Sequence, residues 1–523
     1  MNLLQAFPFS LMTREGIPER VAFAQVVDPR FVDVMAPRAD FRGAGYQFAV
    51  GLLQSAFAPE DDSDWRAYWD TPPDAKALAD ALAPLLPAFE LDSDKAAFMQ
   101  DWDLPEAEQK DISGLLIDAP GGKTIRDNLD HFVKRGSVQA MCPACAAAAL
   151  FTLQINAPSG GVGHRVSLRG GGPMTTLVLP NDPAESLWRK LWLNVLPADR
   201  IAAKKPEKLA DLLPWMAATR TSEAKGGVTT TPESVHPLQA YWSMPRRIRL
   251  EFPEKDSEPG ACDVCGEHSA KLLRTYRARN YGVNYAGDWL HPLTPYTIDP
   301  KKPPPLPIKG QRGGVGYRHW LGFTLGTADN RPAPATVVRH FYARRSRMGV
   351  ARLWCFGYDM DNMKARCWYD STLPVHTVPP ESQAAFASVV AQLMAVADEA
   401  GSLLRKYVKA AQTDRPQDRE IDPMVGQSFW QATESQFYMA LQRLAALPAY
   451  EDEQVAGVYR QWLLATRHVS LGLFDTWVQG VHIENLNTRR VVQARAELLK
   501  WLNLGKVARP LWKIVNAQQK ESA

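Results

Sequence analysis

Two Cys-x-x-Cys pairs stand far apart in the chain, Cys142-Pro143-Ala144-Cys145 and Cys262-Asp263-Val264-Cys265. Two thiolates at this spacing can grip one metal ion from a single tight turn. A second pair brought in by folding completes a tetrahedral sulfur site, the geometry zinc prefers. The other two cysteines, Cys355 and Cys367, have no partner at that spacing. A redox role would need only one pair and a thioredoxin-like strand and helix around it, which neither pair has. A four-sulfur site is closed to substrate, so the expectation is a structural zinc that pins two distant segments together.

Other residues with chemical potential form no catalytic set. The chain has no Gly-x-x-x-x-Gly-Lys-Ser/Thr, no His-Glu-x-x-His and no Gly-x-Ser-x-Gly, so the signatures of nucleotide hydrolysis, zinc proteolysis and serine esterolysis are missing. Asp359 and Asp361 could hold a divalent ion, but acidic pairs at hairpin tips are commonly just solvated. His164 is a lone histidine beside a glycine loop, more in keeping with a contact residue than a base. The chain is therefore expected not to be an enzyme.

What remains suits binding. Ser159-Gly160-Gly161-Val162-Gly163 and then Arg169-Gly170-Gly171-Gly172-Pro173 forbid regular helix and let backbone approach a partner closely. Arg274-Thr275-Tyr276-Arg277-Ala278-Arg279-Asn280-Tyr281 interleaves cations with aromatics, as phosphates and stacked bases require. Lys301-Lys302-Pro303-Pro304-Pro305 is a stiff basic segment. A hairpin tip at Tyr358 to Asn362 presents an amide that could enter between base pairs. Charge follows the same division. Residues 1–140 hold 13 basic and 23 acidic side chains, residues 141–370 hold 31 and 19, so the formal charge of +3 conceals a basic middle region suited to a polyanion.

The elements that must carry these residues can be read from periodicity and breakers. Val21–Val27 reads as a strand, Gly43–Phe57 as a buried helix, Glu60-Asp61-Asp62 as a loop or solvated face, and Asp74–Phe89 as an amphipathic helix. A small-residue helix is expected over Ala144–Leu153, and strands over Val350–Gly357 and Met363–Trp368. Beyond Pro379 four helical segments follow: Glu381–Ala411, Pro423–Leu447, Glu451–Gly480 and Asn487–Leu502. Short connections imply antiparallel neighbours and a four-helix bundle. The expected fold is α+β, with a large mixed domain containing the zinc site over 1–375 and the helical bundle over 376–523. No run approaches the length of a transmembrane helix, and Met1-Asn2-Leu3-Leu4 lacks a secretory start. Few cysteines, paired at metal spacing, fit a reducing cytoplasm.

These residues also carry a family resemblance. The N-terminal Met1-Asn2-Leu3-Leu4, Phe132-Val133 before the first cysteine pair, and Ala157-Pro158 through Leu168-Arg169-Gly170-Gly171 are similar to the large (CasA-type) subunit of the type I-E CRISPR Cascade complex. So are Pro173 with Thr175-Thr176, the second cysteine pair, Gly287, Trp289 and His291-Pro292, and the stretch Tyr358–Trp368. The resemblance implies a non-catalytic subunit of an RNA-guided antiviral complex. It would recognise the protospacer-adjacent motif in duplex DNA from the minor-groove side, help open the duplex and recruit a helicase-nuclease. Its partners would be the 5′ handle of the CRISPR RNA, target double-stranded DNA, the other Cascade subunits and that helicase-nuclease, with no membrane. The resemblance implies a glycine loop at Ser159, Gly160, Gly161, Val162 and Gly163, with Val162 replacing a glycine. A lysine finger would fall on Asn280, which lacks the charge and leaves Arg279 or Arg277 to supply it. A wedge glutamine would fall near Asn362, a shorter amide, which leaves the neighbouring Met363 to act as the wedge in its place. Lys301 and Lys302 match paired DNA-contacting lysines, Phe132, Val133 and Lys134 match the loop near the RNA handle, and Cys142, Cys145, Cys262 and Cys265 match the zinc ligands. The alternative is a zinc-stabilised RNA-binding scaffold that never reads duplex DNA.

Overall fold

A computed structural model describes every residue except 122–124, 127–133, 202–205, 255–257, 312, 328, 330, 346–349, 362, 414–421, 480–486 and 522–523. The chain forms two compact units. The first comprises 1–314, 330–341 and 352–372; the second comprises 315–329, 342–351 and 373–523. The class is α+β, and the C-terminal region is helical.

The first unit opens with strands β1 (Ser10–Thr13), β2 (Pro18–Glu19) and β3 (Phe31–Met35), paired antiparallel in the order β2-β1-β3. The run expected as a strand at Val21–Val27 is instead a 3-10 helix over Phe23–Val27. Its composition is strand-like, but among the described residues it pairs with no strand: Phe23 is fully buried and its backbone N–H donates to the Leu4 carbonyl at 2.9 Å. Helix α1 (Ala39–Ala56) follows, buried on nearly every side. Phe48 on α1 meets Phe7, Phe151 and Trp242 at centroid distances of 5.8, 5.1 and 5.7 Å, which makes the helix the axis of an aromatic core. The acidic stretch at 60–62 is not a plain loop. Asp61 caps helix α2 (Asp62–Asp70), accepting from the N–H groups of Ser63 and Asp64, so its charge faces the positive end of the helix. Helix α3 (Ala75–Leu82) is shorter than the expected Asp74–Phe89, because Pro84 and Pro87 withhold backbone donors and convert the rest to a 3-10 turn.

The chain then contributes β4 (Glu108–Asp111), helix α4 (Pro143–Asn156), β5 (Thr175–Pro180), helix α5 (Leu187–Trp192), β6 (Arg247–Glu251) and β7 (Thr275–Arg279). The long hairpin strands β8 (Ala351–Asp361) and β9 (Lys364–Pro374) complete the set. β7 lies between β4 and β6, antiparallel to both, and β8 lies between β9 and β5. The hairpin is longer than its sequence implied, and Tyr358 to Asp361 belong to β8 rather than to the tip. Gly43 of α1 allows the hairpin to pack close, since a Cβ there would stand 2.8 Å from the Phe356 ring and 2.9 Å from Trp368.

The second unit is built on α6 (Gln383–Gln412), α7 (Pro423–Ala445), α8 (Asp452–Gln479) and α9 (Thr488–Leu504), the four expected segments. Asp422 caps α7 by accepting from the Met424 N–H at 2.8 Å, with Pro423 in the first turn. A fifth helix, α10 (Ala508–Glu521), packs against α8 and α9. Residues from outside the helical region join the core: Tyr317 stacks on Phe437 at 4.4 Å and bonds the Thr433 hydroxyl at 2.8 Å. By length and composition the helical stretch 380–412 could cross a membrane, yet its Phe386, Val390, Leu393, Ala397 and Leu404 are fully buried in the bundle.

Candidate functional site

The two cysteine pairs meet. Their four Sγ atoms all lie within 4.8 Å of one another, three of the residues buried and Cys265 half-buried. Zinc–sulfur bonds of about 2.3 Å in a tetrahedron require sulfur atoms about 3.8 Å apart, and Cys142 and Cys265 stand at 3.8 Å. The four thiols therefore fit a tetrahedral metal ion. Cys142 is the N-cap of α4, and the second pair turns at Gly266, whose φ is +76°. One residue the sequence reading passed over locks the two turns together. The Asp263 carboxylate accepts from the N–H groups of Gln139 and Ala140 at 2.7 and 2.8 Å, and the Asp263 N–H donates to the Ala140 carbonyl. Met141 and Leu273 exchange a further pair of backbone bonds. Asp263 sits inside the Cys-x-x-Cys motif, so its position was visible, but no spacing rule marks it.

Two paths lead from this cluster to the glycine loop. Along the first, α4 runs about 21 Å for its 14 residues, from Cys142 to Asn156, directly before the loop. Along the second, the chain passes from Cys265 through β7 to Asn280 and Tyr281. The paths rejoin there: the Asn280 side-chain amide donates to the Val162 carbonyl at 2.8 Å, and the Tyr281 N–H donates to the Gly163 carbonyl at 2.8 Å. Gly163 has φ of +77°, and a Cβ on it would stand 2.9 Å from the Asn280 Cβ. At the tip Val162 is 80% exposed, and a Cβ on Gly161 would meet nothing within 4 Å. Ser159 is exposed, while Gly160 lies against His164. Asn280 is thus a clamp on the loop. The arginines beside it are both engaged: Arg277 with Glu251 at 3.4 Å, and Arg279 with Glu223 at 3.5 Å and the Glu106 carbonyl at 3.0 Å.

The second glycine run joins the remaining pieces. A Cβ on Gly171 would stand 2.7 Å from the Pro158 Cα, and one on Gly172 would stand 2.9 Å from the Tyr358 carbonyl oxygen of β8. Gly170 lies against Lys309, and Pro173 bridges to Lys309. Only glycine leaves room for backbones this close. Lys301 and Lys302 are exposed on the loop that leads through Leu306–Pro307 to Lys309, and both donate backbone N–H groups to Asp299. Gly310 bridges to Asp359, so the basic loop and the hairpin are also neighbours. Met363 is 52% exposed at the hairpin tip; Asn362 lies outside the described residues. Asp359 and Asp361 pair with Arg366, the former through both its oxygens at 2.7 and 3.1 Å. Lys134 is exposed, and its loop neighbours Phe132 and Val133 lie outside the described residues.

Three polar residues adjoin these loops, Arg169 buried and Arg246 and His164 half-buried. Arg169 is fully enclosed and donates to Gln47 of α1 at 2.7 Å and to the hydroxyls of Thr175 and Thr294. Burial pulls its guanidinium down to about 10. Arg246 donates to the Pro158 carbonyl, and burial brings it also to about 10. His164 is held below the usual histidine value by burial and then by Arg246 and Lys110.

Comparison with known proteins gives a consistent answer. The family described as CRISPR-associated protein Cse1 matches residues 8–473. CasA (Cse1) of Thermus thermophilus is similar in structure with a TM-score of 0.69 and 17% identity, over 98% of this chain and 99% of that one. Cse1 of Thermobifida fusca is similar at 0.68 and 16% identity, over 98% of each chain. A chain of a structure described as a CRISPR RNA-guided surveillance complex matches at 0.68 and 15% identity, over 96% of this chain and 99% of that one.

Proposed function

Since the chain belongs to the family of CRISPR-associated Cse1 proteins, we propose that it is the large subunit of an RNA-guided surveillance complex that reads a short flanking motif in duplex DNA. In this reading it is non-catalytic and works in the cytoplasm. It contacts the 5′ handle of the CRISPR RNA and the other Cascade subunits, helps open the duplex and recruits a helicase-nuclease. The observation that carries it is the clamped loop: its backbone is held at Val162 and Gly163 by Asn280 and Tyr281, while the Val162 side chain is exposed and a Cβ on Gly161 would meet no described atom within 4 Å. A rigid, narrow, backbone-rich protrusion suits entry into a minor groove, where readout is degenerate and a tolerant motif results. Arg277, Arg279, Lys301 and Lys302 would supply phosphate contacts, and Met363 with Asn362 would form the wedge. Sequence specificity is then left to base pairing with the RNA.

Every described candidate residue lies in the first unit, which supports assigning recognition to residues 1–375 and leaving 376–523 as the helical bundle. The four cysteines fit zinc as a structural ion that sets where α4 and β7 begin. The deciding experiment is target-duplex binding by the RNA-loaded complex, with and without this chain, across a randomised three-base flank. A flank preference that appears only with the chain is expected. Flat binding across flanks would overturn motif recognition and favour an RNA-facing scaffold.

A further inference from the structure

Beneath the glycine loop lies a cavity of about 190 Å3, several times the roughly 30 Å3 one water occupies in the liquid. Its walls come from both ends of the loop, from β4 and the stretch 114–119 after it, from the start of β6 and from β7 through Gly282. Lys110, His164, Arg246, Arg247 and Arg279 line it, and among the described residues no carboxylate does. Most of these cations are already balanced. Arg247 pairs with Asp101 at 2.6 Å and Glu223 at 3.0 Å, Arg279 with Glu223, and Lys110 with Glu108 at 3.2 Å. Arg246 is the exception. Its one side-chain bond goes to the Pro158 carbonyl, its Nε is buried with no partner, and among the described residues no carboxylate pairs with it. A partly buried guanidinium without a counterion is costly, and a group that brings negative charge and acceptor oxygens would relieve that cost.

We propose that this cavity is a binding site for a phosphate-class oxyanion, held by Arg246 with Lys110 and His164 at its rim. The Arg246 guanidinium brings a positive charge and planar N–H donors to the cavity wall, the chemistry that meets phosphate oxygens. Burial, then Arg246 and Lys110, lower the pKa of His164, and its imidazole N–H can donate one hydrogen bond. The shared chemistry has two sources, a backbone phosphate of bound nucleic acid or free phosphate. As a nucleic-acid contact the site rests on the reading proposed above; as an oxyanion site it stands without it.

The test uses the full-length chain titrated with inorganic phosphate by calorimetry in phosphate-free buffer. Wild type should bind. Arg246→Gln should weaken binding at least tenfold, Arg246→Lys should recover part of it, and Lys76→Met, an exposed charge-matched control, should leave it unchanged. Because Arg246→Gln also removes the bond to Pro158, Lys110→Met serves as the second variant, and a severalfold loss is expected there. The source is read from duplex binding by the assembled complex as salt is varied. A slope of log affinity against log salt that falls by about one in Lys110→Met assigns the site to a strand phosphate. An unchanged slope with lost phosphate binding assigns it to a free oxyanion. No phosphate binding by wild type, with slopes unchanged in both variants, overturns the proposal. If the wild-type complex shows no flank preference yet the chain still loses phosphate with Arg246→Gln, motif recognition fails and the oxyanion site holds.

Discussion

Single atoms separate glycines that look alike in the sequence. Gly161 faces open space and Gly171 faces the Pro158 backbone. Gly161→Ala should therefore leave thermal stability within about 0.5 kcal/mol of wild type, while Gly171→Ala should cost about 1–3 kcal/mol, because backbone cannot step aside as a side chain can. Replacing Gly161 by tryptophan should weaken binding of motif-bearing duplex more than binding of a pre-opened target; equal losses would argue against groove entry. Asn280 shows the opposite case. Its counterparts in the resemblance carry a charge, but its amide already bonds the Val162 carbonyl. Asn280→Ala should lower stability by no more than about 1 kcal/mol and blur the flank preference more than the overall affinity; a uniform affinity loss would return it to the role of a simple contact. Residue type was enough to find the loop and the cysteines. It was not enough to tell a clamp from a finger, because that depends on which carbonyl happens to lie within 3 Å.

At the scale of elements, α4 and β7 couple the cysteine cluster to the loop. Both begin beside the cysteine cluster and both end at the glycine loop, so slack introduced at one end should reach the other. Cys262→Ser with Cys265→Ser should abolish bound metal and raise hydrogen exchange in the first turn of α4 and at Asn280 to Tyr281. Metal content unchanged from wild type would refute the shared site, since two ligands of four would be gone. The hairpin of β8 and β9 belongs to this scale too. Alanine at both Asn362 and Met363 should slow duplex opening in the complex while leaving binding of a pre-opened target intact, and unaltered opening kinetics would remove the wedge role. Element type was readable where period or breaker was strong, as in α1, α4 and α7. It failed at Phe23–Val27, where a strand-like run pairs with no strand among the described residues, and at α10. The start of α10 is capped by Glu399 on α6, which accepts from the N–H groups of Val507 and Ala508 at 3.1 and 3.0 Å. A cap supplied by another helix leaves no local signature.

For the molecule as a whole, the second unit depends on residues borrowed from outside its helices. Tyr317 is buried against Phe437, Trp430 and Trp462. Tyr317→Ala should cost about 3–5 kcal/mol in unfolding of that unit, and Tyr317→Phe about 1 kcal/mol for the bond to Thr433. His319 in the same segment adds a pH dependence. Burial, with Arg318 nearby, lowers it from 6.5 to about 4. The folded state holds it neutral where the unfolded chain would protonate it, so its contribution is fully present above about pH 6.5 and is lost as pH falls through 4. Melting temperature measured from pH 7 to 4 should drop along this window, and His319→Gln should flatten the drop; a slope that survives the substitution would assign it to other groups.

The sequence by itself determined the α+β class, the four cysteines and helices α6 to α9 of the C-terminal region, because pair spacing, turn residues and 3.6-residue periodicity are local properties. Only the tertiary structure decided that Asp263 locks the cysteine turns, that Asn280 clamps the loop, that Gly171 and Gly172 seat Pro158 and β8, and that the Arg246 Nε is buried without a hydrogen-bond partner among the described residues. The contacts among these join residues thirteen or more positions apart. The energy of such a contact depends on where the rest of the fold brings the partner, and local periodicity does not encode that.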